Sequence, residues 1–218
     1  MNKYLKESLL LIFAVLPLVY LAVIWDKLPD IVPTHFNVDG VPNDWSKKTT
    51  LIYMTGALGI GIYLLMLIIP FLDPKKKIEQ MGAKYYNLRF ILSLFMSLLA
   101  TYIIYISSVG DMKDSNLLFV IMGLLFAMLG NYFQTVRPNY FIGIRSPWTL
   151  ENEEVWNSTH RLGGQIWLAG GVLIAVLSFI IKNNSVFAYT FAALLAIMVI
   201  VPIVYSYFEY QKVKKGMN

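Results

Sequence analysis

The sequence predicts an all-α membrane protein of six transmembrane helices, with both termini cytoplasmic, a short outer β-like hairpin and an inner amphipathic helix. Three observations lead there. Apolar residues make up 57% of the 218 positions and charged residues only 14%, against about 25% charged in an ordinary soluble domain. Six continuous apolar runs, at 8–24, 51–72, 90–109, 116–134, 163–181 and 186–207, each approach the ~20 residues that cross ~30 Å of hydrocarbon as a helix. The runs do not alternate polar with apolar, so they read as helices rather than barrel strands, the only other structure that satisfies every backbone polar group inside a bilayer. Third, the positive charge is sorted between alternate connectors.

The sorting sets the orientation. Lys3 and Lys6 precede the first run, Lys75, Lys76, Lys77, Lys84 and Arg89 follow the second, Arg137, Arg145 and Arg161 follow the fourth, and Lys212, Lys214 and Lys215 close the chain. These thirteen fall on one side, whereas Lys27, Lys47, Lys48, Lys113 and Lys182 fall on the other. Cytoplasmic loops carry the excess of Lys and Arg, so the net charge of +5 is topology information and not a footprint for nucleic acid. The localisation that follows is a multi-pass protein of the cell membrane, with the lipid bilayer as its first partner.

Taken in order, the first run follows two lysines as a signal peptide would, but Trp25-Asp26-Lys27-Leu28-Pro29 replaces a small-residue cleavage site, and the run reads as a retained anchor. The connector of residues 25–50 then faces outward. Pro29 and Pro33 block helix, residues 31–38 have extended character, and Asp39-Gly40 signals a tight turn. Trp25 and Trp45 suit the membrane interface. His35 near Asp30, Asp39 and Asp44 is a weak metal pattern, and a hydrogen-bonded loop histidine is the preferred reading. Pro17, Pro70 and Pro202 lie within or at the ends of spans and read as kinks or helix ends. The glycines at 56, 59 and 61, and at 163, 164, 170 and 171, allow close helix approach. Residues 110–115 and 182–185 are short outer turns. Along one membrane domain the segments are 1–50, the first span with its outer connector; 51–136, spans two to four; and 137–218, the inner connector with spans five and six.

The inner connector, residues 137–164, is a polar, aromatic-rich island, and long connectors in compact proteins are usually functional. Residues 140–144 read as an apolar extended piece. Arg145-Ser146-Pro147-Trp148 turns into a helix near 149–163, capped by Thr149 or Asn152, with Glu151, Glu153 and Glu154 at its positive amino end. Val155, Trp156, Thr159 and His160 share one face. That pattern predicts a short amphipathic helix along the inner membrane surface, with Arg145 and Arg161 pairing with those glutamates or with lipid phosphates. A structural lid and a docking surface for a cytoplasmic partner are both compatible with it.

The chemistry inventory is thin. No Asp, Glu, Lys, Arg or His falls inside the six apolar runs, which disfavours a proton-driven transporter. Motifs for a zinc protease or a serine hydrolase are lacking, cysteine is absent, and the two histidines fall on opposite predicted faces. The reading is of a non-enzymatic protein that needs no cofactor and no metal.

Two motifs carry a family resemblance. Asn139-x-x-x-Gly143-Ile144-Arg145-Ser146-Pro147-Trp148-Thr149-Leu150, followed by Val155-Trp156-x-x-Thr159-His160-Arg161, closely resembles the signature of the SdpI family. The outer LPDIVPTHFNVDGVPNDW resembles the uncharacterised domain that often precedes that signature. The resemblance implies a bacterial integral membrane protein that gives immunity to a secreted, membrane-depolarising killing peptide. It also implies a signalling role, in which the protein holds a cytoplasmic repressor at the membrane once toxin is engaged. On that reading Pro33, His35, Asn37, Gly40 and Trp45 belong to a toxin-sensing outer site. Asn139, Gly143, Arg145, Pro147, Trp148, Thr149, Trp156, Thr159, His160 and Arg161 form the partner-binding inner site. The alternative, from a different class, is a small-molecule or peptide transporter.

Overall fold

A computed structural model describes residues 2–110 and 116–216. In chain order, α1 (Lys3–Ile24) ends in a 3-10 turn (Trp25–Lys27) and is followed by β1 (Ile31–Phe36) and β2 (Pro42–Lys47). Next come α2 (Thr50–Leu72), the short α3 (Lys77–Gln80), α4 (Ala83–Val109) and α5 (Asn116–Phe133). The short α6 (Pro147–Glu151), α7 (Glu153–Ile180) and α8 (Asn184–Gly216) complete the chain. Among the described residues α1, α2, α4, α5, α7 and α8 are long and apolar enough to span a membrane. The six-span, mostly helical architecture and its small two-stranded sheet are those expected from the sequence, and the protein is a multi-pass membrane protein. Most of the turn expected at 110–115 falls outside the described residues; Gly110, with φ 84°, ends α4 by donating its N–H to the Ile106 carbonyl at 2.9 Å.

The bundle has two groups of three: α1, α2 and α4 pack together, as do α5, α7 and α8, and α4 against α5 joins them. Outward-facing Leu11, Ile12, Leu64, Phe71, Val176 and Ile200 are exposed, as lipid-facing residues should be. The most extensive contact is α5 on α7, and its cause is glycine. A Cβ on Gly130 would meet the Gly164 carbonyl oxygen at 2.7 Å, and one on Gly164 would meet the Gly130 oxygen at 2.6 Å. Gly123 and Gly171 oppose each other in the same way. Because lipid is as apolar as leucine, helices in a bilayer gain their association from close backbone packing rather than from hydrophobic expulsion. A smaller seam joins α1 to α2 where Gly59 lies on the Ala14 backbone, within a π-helical turn (Ala57–Gly61).

Two of the span prolines expose a second rule. Proline lacks the N–H that would bond the carbonyl four residues earlier, so Pro202 orphans Met198 O and Pro70 orphans Met66 O. In each case a side chain of a neighbouring helix supplies the donor: Trp167 Nε1 of α7 donates to Met198 O at 2.8 Å, and the Tyr85 hydroxyl of α4 donates to Met66 O. The kinks are therefore cross-linked to their neighbours.

The expectation of charge-free spans needs one correction. α1 and α4 begin before the apolar runs they contain, so Glu7 and Arg89 lie within helices, seated one position outside those runs. Arg89 donates bidentately to Glu7, NH1 to Oε1 at 2.6 Å and NH2 to Oε2 at 2.8 Å, and its side chain is only 9% exposed. Tyr63 of α2 donates to Glu7 at 3.4 Å. This pair ties α1, α2 and α4 together at one end of the bundle.

The two ends differ. At one, Lys75 Nζ donates to the Tyr140 hydroxyl at 3.0 Å and Lys84 Nζ to Thr135 O at 2.9 Å, while the Tyr210 hydroxyl donates to Glu151 at 2.9 Å. The basic connectors and the last turns of α8 meet there; we call it the terminal end. The β-hairpin caps the other, where Ser107 of α4 donates to Pro33 O at 3.2 Å.

The glycine seam makes a prediction with its own control. Gly130→Ala should lower thermal stability in detergent by about 1–3 kcal/mol through overpacking, whereas Gly56→Ala, with nothing within 4 Å of the new Cβ, should be neutral or stabilising. Thermal unfolding of the two variants measures this. The proline rule predicts that Trp167→Phe costs about 1–3 kcal/mol by orphaning Met198 O, and less in a Pro202→Ala background, where the backbone regains its own donor. A double-mutant cycle with no coupling would show that the indole bond is incidental.

Candidate functional site

The connector between α5 and α7 folds around Asn139. Its Oδ1 accepts from the backbone N–H groups of Phe141 at 2.8 Å and Ile142 at 2.7 Å, and its Nδ2 donates to the carbonyls of Arg137 at 2.8 Å and Ile142 at 3.0 Å. One buried amide thus satisfies four backbone groups, as a backbone segment without secondary structure must somehow do. The piece 140–144, expected to be extended, is consequently bent, because Asn139 draws the chain back on itself. Gly143 follows with φ 114°, and a Cβ there would meet His160 Nε2 and, at 3.2 Å, Trp156 Cζ2. Glycine suits this position for both reasons.

His160 is held at both nitrogens. Nε2 accepts from the Ile144 N–H at 2.9 Å, and Nδ1 lies 2.8 Å from Trp156 O. An amide N–H can only donate and a carbonyl can only accept, so the single ring proton sits on Nδ1. The imidazole stacks on Trp156 at 4.0 Å between centroids and 19° between planes. Trp156 is 0% exposed and donates Nε1–H to Val136 O at 2.9 Å. Phe133 meets His160 edge-on at 6.2 Å and Trp167 at 5.0 Å, which links the connector to the proline kink of α8.

The second half of the connector is built on hydroxyls. Ser146 caps α6: its Oγ accepts from Thr149 N at 3.2 Å, and Thr149 Oγ1 accepts from Ser146 N at 2.9 Å, a reciprocal capping box with Pro147 opening the helix. Ser146 Oγ lies 2.8 Å from Ser206 Oγ, which donates to Ile203 O at 2.6 Å. Trp148 rests on Tyr207 at 5.1 Å. Asn152 then caps α7, its Oδ1 accepting from Glu154 N at 2.8 Å and Val155 N at 3.0 Å, with Glu153 and Glu154 in the first turn as expected. The helix expected along the membrane surface near 149–163 is therefore two pieces, α6 and the first turns of the fifth span. Val155, Trp156, Thr159 and His160 turn their shared face into the bundle, where all four are buried, because α7 runs without interruption from Glu153.

This separates the candidates by position. Asn139, Thr149, Trp156, Thr159 and His160 are buried and Gly143 lies against His160. Arg145, Pro147 and Arg161 are exposed, and Trp148 is half-buried. Arg145 donates through NH1 to the Tyr140 carbonyl. Lys75, donating to the Tyr140 hydroxyl, holds that phenol below its ordinary pKa. Beside the connector a cleft of about 330 Å³ opens, lined by Lys77, Arg137, Glu151 and Glu153 with Thr149 and Leu150.

At the other end, the hairpin pairs Ile31 with Lys47 and Pro33 with Trp45. Asn37 Oδ1 accepts from Asp39 N at 3.0 Å and Val41 N at 2.9 Å, and Gly40 has φ 77°, so these two residues build the turn. Pro33 is buried against α4, whereas His35 and Trp45 are exposed. His35 Nδ1 lies 2.6 Å from Asn43 Oδ1. Val32, fully buried with Leu28, Leu51 and Ile104, seats the hairpin on the bundle. A cleft of about 240 Å³ remains beneath, bounded by Pro33, His35 and Phe36 above and by Leu51, Ile103 and Ser107 below. The inner and outer candidates lie at opposite ends of the molecule.

Sequence reasoning missed Trp167 and Ser206, which anchor the inner connector, and the Glu7–Arg89 pair. The only signal for Trp167 was Pro202 itself, which announces an orphaned carbonyl without naming its donor. Asn139→Ala should destabilise the protein by about 2 kcal/mol or more, since it strands buried backbone groups. Gly143→Ala should cost a similar amount through its positive φ. Thermal unfolding together with protease sensitivity at 137–146 measures both, and wild-type behaviour in both variants would show that the connector is not held as described.

The SdpI/YfhL protein family model matches residues 135–206, the whole of this connector and most of the two spans that follow. A domain of unknown function, DUF1648, matches residues 12–60, which contain the hairpin. Immunity protein SdpI of Bacillus subtilis (strain 168) is 27% identical over 187 residues, covering 84% of this chain and 90% of that protein. No solved structure matches. The resemblance carried by the Asn139–Arg161 motif is thus matched by the SdpI/YfhL family model, which covers residues 135–206 of this multi-pass membrane protein.

Proposed function

We propose that this chain is an integral membrane immunity protein that protects the cell carrying it against a secreted, membrane-active toxin peptide. The observation that carries this reading is the similarity to Immunity protein SdpI, which extends over 84% of this chain and 90% of that protein. The physical arrangement supports it. A peptide that attacks the bilayer from outside meets the hairpin first, and the positive-inside distribution of charge puts the hairpin on that face. His35 and Trp45 are its exposed chemistry, while Pro33, Asn37 and Gly40 shape it. On the cytoplasmic face Arg145, Pro147, Trp148 and Arg161 offer a surface for a repressor protein, presented by the buried set Asn139, Gly143, Thr149, Trp156, Thr159 and His160. A non-enzymatic protein fits this best: both ring nitrogens of His160 are committed to the backbone, which leaves it neither base nor ligand.

The test is growth and membrane potential of a sensitive Gram-positive strain expressing the chain and challenged with an SDP-type killing peptide. Preserved potential is the expected result; depolarisation despite confirmed membrane insertion would overturn the assignment. Within a protective wild type, His35→Ala and Trp45→Ala should weaken protection. Arg145→Ala and Trp148→Ala should leave insertion intact and reduce recruitment of a repressor. Unchanged protection in the hairpin variants would make the hairpin a scaffold.

A further inference from the structure

A third cleft lies apart from both connectors. It occupies about 420 Å³ at the terminal end, between α1, α2, α3 and α4, within the ~300–1,000 Å³ range of small-molecule sites. Met66, Leu67, Phe71 and Ile78 give it an apolar wall, and Phe71 and Tyr85 bring aromatic rings to it. Phe71 is 88% exposed, and Ile68 and Leu72 on the same helix are exposed as well. These side chains face lipid in a spanning helix, so the cleft opens sideways into the bilayer.

The charged residues that line it are Glu7, Glu79 and Arg89. Two of these neutralise each other, because NH1 and NH2 of Arg89 donate to the two carboxylate oxygens of Glu7. Glu79 is left over. It is exposed on α3, beyond the last residue of the span α2, and among the described residues its carboxylate has no ion pair or hydrogen bond. Neighbouring cations are directed elsewhere. Neither Lys76 nor Lys77 lines this cleft; Lys77 lines the one beside the inner connector, in keeping with residues two apart on a helix not sharing a face. Lys75 donates to Tyr140, Lys84 donates to Thr135 O, and Lys6 lies over the Tyr86 ring at 4.7 Å. The cleft therefore sets one uncompensated negative charge beside an apolar, partly aromatic wall.

We propose that this cleft is a binding site for a lipophilic organic cation, which lays a compact apolar body on the Met66–Phe71 wall and sets its positive charge beside Glu79. The aromatic rings favour the same sign of charge, since the face of a ring attracts cations. The experiment uses the full chain purified in uncharged detergent. Tetraphenylphosphonium and tetraphenylborate, ions of the same shape and opposite charge, are each dialysed to equilibrium against the protein and against protein-free micelles. Tetraphenylphosphonium should bind saturably as to a single site, and tetraphenylborate should match the protein-free control. Leu67→Trp, which fills the cleft, should abolish the binding. Glu79→Gln should weaken it on the order of tenfold, between the worth of an exposed and of a desolvated charge contact. Glu79→Lys should transfer the preference to tetraphenylborate. Equal uptake of the two ions would show apolar partition alone and overturn the assignment. Undiminished tetraphenylphosphonium binding in Leu67→Trp or in Glu79→Gln would do the same. Should Leu67→Trp fail to fold, the Glu79 variants decide, because that exposed carboxylate has no partner in the fold to lose. A preference that stays with the phosphonium in Glu79→Lys would refute the site.

Discussion

Backbone-to-backbone contact between α5 and α7 governs this protein. Gly123 and Gly130 on one helix and Gly164 and Gly171 on the other remove side chains from the seam, so the helix axes come closer than any larger residue would allow. In a bilayer, where apolar side chains gain nothing by leaving lipid, such packing is what holds helices together. The same seam fixes where α5 ends and where α7 begins. The connector between them is folded inward around Asn139. Its polar backbone, crowded against the bundle, then has to be satisfied from within.

That second demand explains most of the side chains that carry the family pattern. Asn139 serves four backbone groups, His160 receives Ile144 N–H and reaches Trp156 O, Trp156 caps Val136 O, and Ser146 and Thr149 cap each other. The logic extends into the spans, where Trp167 and Tyr85 answer the carbonyls that Pro202 and Pro70 leave open. Residues of this kind are fixed by the cost of an unsatisfied backbone group in a low-dielectric setting. Their chemistry is spent inside the protein, whereas Arg145, Pro147 and Arg161 stand exposed at the connector's surface and Trp148 half-buried beside them.

The spans and the hairpin were legible because each rests on a local signal. Hydrophobic runs of bilayer length specify helices, and Asn37-Val38-Asp39-Gly40 specifies its turn through Asn37 Oδ1 and the positive φ of Gly40. The glycines pointed to close packing, though not to which helices they bring together. What stayed hidden depends on contacts distant in sequence. Glu7 and Arg89 are 82 positions apart, each just outside an apolar run, so nothing local announces that they desolvate together. The 149–163 segment is amphipathic by composition, which suits a surface helix. Only the continuity of α7 and the stack of Trp156 on His160 show that its apolar face belongs to the bundle.

The last helix has a geometric consequence of its own. α8 holds 33 residues, or roughly 50 Å at 1.5 Å per residue, against a hydrocarbon layer of ~30 Å. Tyr210 reaches Glu151 and Ser206 meets Ser146 at the terminal end, so much of the excess length stands there beside the family connector. The molecule is thus taller on one flank than on the other. That flank forms a wall along one side of α6, and a macromolecule approaching the connector from this end has to come from the open side, where Lys77 and Arg137 lie, or displace the wall.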